Sequence, residues 1–225
     1  NLLIAGIAGS SGVNVSMFSF AIIALPVALV GWAWLLIASP RAFTAAEKQL
    51  WEDDTTETYT GVAGQPAYNA ALVEMILGKG FADRAASVAT PGGTGAIRQA
   101  LELIKMANPK ARVWMSAPTW PNHPSIVKYL GMIGVEYRYF DVATSGIDFA
   151  GLMADLEGVT AGDAVLLHGC CHNPTGANLS AEQWDQVIAL LQRKQAIPFV
   201  DLAYQGFGDG LEEDAAATRK IAAAF

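Results

Sequence analysis

Apolar positions along this chain alternate between two rhythms. Short strand-like stretches stand at residues 112–116, 135–140, 164–168 and 198–201: apolar residues run together in 113–115, 164–167 and 198–200, and 135–140 interleaves them with Glu136 and Arg138. Runs of that length between turn residues predict buried strands. Between them the spacing becomes helical, as at Ile97, Leu101 and Ile104. Helices are predicted from Pro66 with Leu72, Met75, Ile76 and Leu77 as the apolar face and Gly78 as the stop, from the glycines near Gly95, from the proline-bracketed turn 117–124 to Leu130, and from Asp148 through Leu156. Ser180 with Gln183 forms a capping box for a helix over 181–193, and a last helix is expected over 215–225. Thr44 with Glu47 predicts a further helix through Trp51, and 55–65, which holds Tyr59, reads as a loop. Strands alternating with helices at this spacing predict βαβ units: an α/β fold with a mostly parallel sheet flanked by helices.

Residues 1–42 break that pattern. No charged residue precedes Arg41, and 17–38 is apolar or small throughout, with Trp32 and Trp34 near one end. One reading is a membrane anchor. Pro26 and Gly31 interrupt it, and no basic residue precedes the apolar run. A buried element of a larger core is a second reading, and sequence that is not natural protein is a third. The chain therefore divides into an atypical segment, 1–42, and a globular part, 43–225.

With 52% apolar and 16% charged residues, the 225-residue chain is no disordered protein. Net charge is −7 with no basic stripe, which argues against a nucleic-acid partner. Cys170 and Cys171 are adjacent, as expected of a reducing compartment rather than a disulfide scaffold. The expectation is a cytoplasmic protein, with anchoring through 17–38 as the competing view.

Four stretches carry candidate chemistry. Gly92, Gly93, Thr94 and Gly95 let backbone N–H groups approach a phosphate at a helix N-terminus, or simply make a tight turn. Arg98 stands where a dinucleotide fingerprint needs its third glycine, so an NAD-dependent oxidoreductase is a distant alternative. Trp120, among Pro118, Pro121 and Pro124, could stack on a flat heterocycle or cap the core. His168, Cys170, Cys171 and His172 crowd a strand end in diverging directions, which favours buried thiols over a metal. Asp201 ends an apolar strand and needs a partner, either a salt bridge or a cofactor's cationic ring nitrogen, with Asn173 and Tyr204 near it. Together they ask for a ligand with a phosphate, a flat ring, a nitrogen wanting a carboxylate and a ring oxygen wanting donors. Pyridoxal phosphate has all four.

From about Phe43 to Phe225 the chain resembles the class I aspartate/aromatic amino-acid aminotransferases of pyridoxal phosphate fold type I. The motifs Thr90-Pro-Gly-Gly-Thr-Gly-Ala96, Trp120-Pro-Asn-His123, His168-Gly-Cys-Cys-His-Asn-Pro-Thr-Gly176 and Asp201-Leu-Ala-Tyr-Gln-Gly-Phe207 carry the likeness. The resemblance implies that Gly93 and Thr94 hold the cofactor phosphate, Trp120 stacks on the ring, and Asp201 keeps its nitrogen protonated. It implies that Asn173 and Tyr204 bond the ring oxygen, with His123 and His168 behind Asp201. Tyr59 matches a tyrosine that reaches the neighbouring subunit's phosphate, which implies a homodimer. The reaction implied is amino transfer between aspartate, glutamate or aromatic amino acids and 2-oxo acids.

The chain also departs from that family. Members are about twice as long, and the Schiff-base lysine lies in a Ser-x-Ser-Lys motif that none of the seven lysines here matches. The lysine is the covalent anchor and proton shuttle, so this chain is expected not to transaminate; a membrane-anchored, non-catalytic ligand-binding module is the alternative. The substrate-gripping arginines and small C-terminal domain are expected beyond Phe225. At the other end the family has a Leu-Gly-(Val/Ile)-Gly stretch. Such a stretch read one base out of phase gives Trp-Ala-Trp, as at Trp32 to Trp34, a frame-shift hypothesis that the nucleotide sequence tests.

Overall fold

A computed structural model describes residues 47–49, 52 and 61–225. The chain divides into Asn1–Tyr59 and Thr60–Phe225, and the second unit carries the fold. Tyr59, the 17–38 segment and Thr44 lie outside the described residues. Among the described residues no helix is long and apolar enough to cross a membrane.

The elements follow the predicted alternation. They are α1 (Pro66–Leu77), α2 (Gly92–Ala107), β1 (Arg112–Ala117), α3 (Asn122–Tyr129), β2 (Ile133–Arg138), β3 (Phe140–Asp141), β4 (Gly146–Ile147), α4 (Phe149–Leu156), β5 (Ala164–His168), α5 (Ala181–Lys194), β6 (Ile197–Asp201) and α6 (Leu211–Ala224). Four strands make one parallel sheet in the order β2-β1-β5-β6, and β3 and β4 form a separate antiparallel pair.

Both faces of the central strands β1 and β5 are covered, which is why their middles read as apolar runs, whereas the edge strand β2 is largely exposed and carries Glu136 and Arg138. Val113, Met115 and Leu166 pack with Ile97 and Leu101 of α2 and Ile126 and Val127 of α3 on one face. Trp114, Val165 and Leu167 pack with Leu152 of α4, Val187 and Leu191 of α5 and Ile221 of α6 on the other. Successive strand residues point to opposite faces, so one strand feeds both cores. Each fully buried Leu or Val contributes about 1.5–3 kcal/mol.

Three boundaries differ from the sequence reading. Helix α2 begins at Gly92, so the glycines form its first turn rather than a loop before it; Pro91 precedes it without a side-chain cap. The run expected at 135–140 is β2 starting at Ile133 and then the β3–β4 hairpin. Pairing with β1 from Arg112↔Ile133 recruits Gly134, which reads as a turn residue in isolation. Helix α6 begins four residues before the expected Ala215, with Glu212, Glu213 and Asp214 placed against its positive end. The capping box at Ser180 and Gln183 and the Asp148 cap form as expected.

Asp163 ties the amino ends of the strands together. It accepts from Arg112 Nε at 3.0 Å and Nη2 at 2.6 Å, from Trp114 Nε1 at 3.1 Å, and from Thr160. Burial opposes its charge, but Arg112 and the N–H donors outweigh it and hold the carboxyl down at about 2. At the other side of the unit, Arg219 of α6 caps the end of α1 by donating to Ile76 O and Met75 O.

Candidate active site

The chain leaves β1 through α3 to β2 on one side, then returns through α4 to β5 and β6 on the other. The connections from neighbouring strands β1 and β5 therefore diverge, and a crevice opens at their carboxyl ends. A cavity of about 250 Å³ lies there, lined by Gly93, Ile97, Trp120, His168, Cys170, Asn173, Asp201, Ala203 and Tyr204. Six of the nine residues singled out from sequence share its wall.

Register explains the pairing at its floor. Parallel β5 and β6 place His168 directly beside Asp201, the last residues of both strands. Asp201 keeps 19% side-chain exposure while the imidazole of His123 behind it has none, and His123 Nε2 lies 3.0 Å from Asp201 Oδ2. Thr119 Oγ1 sits 2.7 Å from His123 Nδ1 and 3.2 Å from His168 Nε2, and the Asn173 N–H reaches His168 Nδ1 at 3.5 Å.

The two ends of this chain of bonds set its direction. A backbone N–H can only donate and a carboxylate can only accept. His168 thus accepts at Nδ1 and donates from Nε2 to Thr119, whose hydroxyl donates to His123, whose Nε2–H donates to Asp201. The neutral state this requires of His168 is the one its surroundings enforce. Burial and the adjacent His123 lower its pKa to about 4, against a smaller upward pull from Asp201.

His172 anchors the turn that carries Asn173. Its ring bonds Ser116 Oγ at 2.9 Å and Thr175 Oγ1 at 2.8 Å, and it stacks on Tyr139 with ring centres 4.0 Å apart. Burial lowers its pKa to about 3, with His168 adding to the effect. The cluster read from sequence therefore splits: His168 and His172 face each other, while Cys170 and Cys171 turn toward Asp214.

Trp120 stands edge-on to His123, with ring centres 5.3 Å apart, and forms the cavity wall while packing partly on the core. The core-packing reading of Trp120 is met in part, and its ring is also placed on the cavity wall. The first-turn N–H groups of α2 have no intrahelical acceptor and Pro91 supplies no cap. Among the described residues, no atom beyond the adjoining residues and the helix's own backbone lies within 4 Å of where a Cβ on Gly92 or Gly93 would sit. Thr94 is outside the cavity wall, but Asn122 Nδ2 donates to its Oγ1 at 3.4 Å and ties it to the Trp120 turn. Thr119, Asn122, Ile97 and Ala203 were not singled out from sequence. Thr119 had one local signal, its place beside Trp120 in a strand-end turn.

This arrangement presents a carboxylate hydrogen-bonded to a buried imidazole, a flat aromatic wall, an amide and a phenol, and a helix N-terminus without a side-chain cap. It suits an anionic, flat, nitrogen-bearing ring.

Comparisons with known proteins agree with that chemistry. A profile described as "Aminotransferase class I and II" matches residues 36–224. The aromatic-amino-acid aminotransferase of Paracoccus denitrificans is 57% identical over 183 residues, covering 81% of this chain and 46% of that protein. The aspartate aminotransferase of Salmonella typhi is 45% identical over 182 residues, covering 79% of this chain and 46% of that protein. A crystal structure of the aromatic-amino-acid aminotransferase from Burkholderia pseudomallei, covalently bound to pyridoxal phosphate, superposes with a TM-score of 0.75 at 40% identity, covering 82% of this chain and 47% of that one. The chain spans about half the length of the curated relatives it matches.

Proposed function

The chain belongs to the class I and II aminotransferase family, and from that premise we propose that its cavity holds pyridoxal phosphate and that the whole protein moves an amino group between an amino acid and a 2-oxo acid. Aspartate, glutamate and aromatic amino acids are the proposed donors. The observation that carries the cofactor assignment is Asp201, hydrogen-bonded to His123 and facing a cavity walled by Trp120, Asn173 and Tyr204.

The residues present fit the group. The open N-terminal turn of α2 at Gly93, with Thr94 beside it, would take the phosphate. Trp120 would flank the ring face, Asn173 and Tyr204 would donate to the ring oxygen, and Asp201 would accept from the ring nitrogen. His123, Thr119 and His168 would keep Asp201 aimed, because every donor in that chain points toward it. Bound there, pyridoxal phosphate supplies an electron sink for the pair released when the Cα–H bond of an amino acid breaks.

No lysine lines this cavity among the described residues. We propose that the 225-residue chain binds the cofactor without a covalent link and does not transaminate unaided. In the whole protein we propose a cytoplasmic homodimer in which Tyr59 reaches the neighbouring subunit's phosphate, a reading supported by the family likeness and by the unbridged Cys170 and Cys171.

Titration of the chain with pyridoxal phosphate tests this. Saturable, one-to-one quenching of tryptophan fluorescence is expected, lost in Asp201→Ala. Borohydride treatment should leave no stoichiometric adduct on any one lysine. Absence of saturable binding in the folded chain would refute the cofactor assignment, and a single-lysine adduct would refute the non-covalent one.

A further inference from the structure

Behind the cavity, Cys170 Sγ, Cys171 Sγ and a carboxylate oxygen of Asp214 all lie within 4.8 Å of one another. Two features bring them together. Cys171 has a left-handed backbone, φ 45°, which turns its side chain back toward Cys170. Asp214 in the first turn of α6 is fixed by N–H donors from Gly206, Gly208 and Asp209 at 2.8–3.0 Å. Burial opposes charge on Asp214, but those donors hold its carboxyl below the usual range.

The surroundings favour a cation. A second cavity of about 300 Å³ reaches Cys170 and Asp214 and is also lined by Asp209, Glu213 and Lys220. Lys220 is engaged with Asp185 at 2.7 Å, and among the described residues no salt bridge is made by Asp214. Around a single zinc, with Zn–S about 2.3 Å and Zn–O about 2.0 Å, tetrahedral donors sit roughly 3.3–3.8 Å apart. From separations of up to 4.8 Å the three groups need to close by up to about 1.5 Å, a movement within reach of χ1 adjustments.

We propose that Cys170, Cys171 and Asp214 form a binding site for one thiophilic divalent cation of the zinc and cadmium class, with solvent as the fourth ligand. Each thiol gives its proton to solvent as its sulfur–metal bond forms, and Asp214 enters already ionised. Cys170 is also part of the wall of the first cavity, which Tyr204 lines as well. Drawing Cys170 toward the cation therefore moves that wall and weakens ligand binding in the first cavity, a consequence that rests on the cofactor assignment above.

Cadmium titration of the full chain tests the site. One ion per chain is expected, with ultraviolet thiolate-to-cadmium absorption, release of about two protons and displacement by zinc. Cys170→Ser and Cys171→Ser should each weaken binding by about 100-fold or more, and circular dichroism shows whether each variant remains folded. Absence of thiolate absorption in the wild-type chain, or retention of full affinity in the folded double variant, overturns the proposal. The coupling is read separately: bound cadmium should weaken pyridoxal phosphate about tenfold, and unchanged affinity overturns the coupling. Cadmium binding in a chain that never binds pyridoxal phosphate supports the cation site while refuting the cofactor assignment.

Discussion

His123 Nε2 lies 3.0 Å from Asp201 Oδ2, with the imidazole wholly buried and the carboxylate facing the cavity. The buried member can only serve the exposed one. It fixes one oxygen of Asp201 and leaves the other for a ligand, which makes this pair the centre of the site.

Removing the charge at Asp201 tests that relationship. A hydrogen bond to a charged group contributes about 1.5–3 kcal/mol. Asp201→Asn is expected to weaken pyridoxal phosphate binding by about one to two orders of magnitude, measured by fluorescence titration, while the melting temperature changes little.

Thr119→Val should break the chain of donors between His168 and His123. A buried imidazole nitrogen left without a partner costs about 1–3 kcal/mol. Denaturant unfolding should show a loss of that size, histidine ¹⁵N shifts should report a changed tautomer at His123 or His168, and Thr119→Ser should restore both.

Acid should unfold the chain through its histidines. His168 and His172 have folded pKa values of about 4 and about 3, both lowered chiefly by burial. Their unfolded values are about 6.5. Because the folded values are depressed, unfolding takes up protons: this contribution is complete above pH 6.5 and is lost as pH falls toward 4. With both groups titrating, stability falls by up to about 2.7 kcal/mol per pH unit. Urea unfolding at stepped pH measures the slope, and the double variant His168→Asn, His172→Asn should flatten it.

Asp163→Ala should damage stability without touching the site. It leaves Arg112 and Trp114 Nε1 without their shared acceptor at the amino ends of the strands. Breaking a pair of this kind costs about 3–5 kcal/mol. Thermal unfolding should show the loss, and pyridoxal phosphate affinity of the folded fraction should remain that of wild type.

Local physics determined much of this protein from sequence. Buried parallel strands need unbroken apolar runs, and helices announce themselves by caps, so β1, β5 and α5 were legible through residues 112–116, 164–168 and the Ser180–Gln183 box. That Gly93, Trp120, Asn173, Asp201 and Tyr204 would gather was legible because glycines at a helix start and polar or aromatic side chains in strand-end turns meet at one edge of a parallel sheet.

What only the tertiary structure decided is distance across the chain. The β2-β1-β5-β6 order sets His168 beside Asp201, and it brings Thr119, from the turn after β1, between two histidines separated by 45 positions in sequence. The same long-range packing splits the His–Cys cluster, sending His168 and His172 into one network and Cys170 and Cys171 to Asp214 on α6. Periodicity and capping are carried by neighbours within a few residues. Register and strand order are set by which faces are buried against one another, and no single segment contains that information.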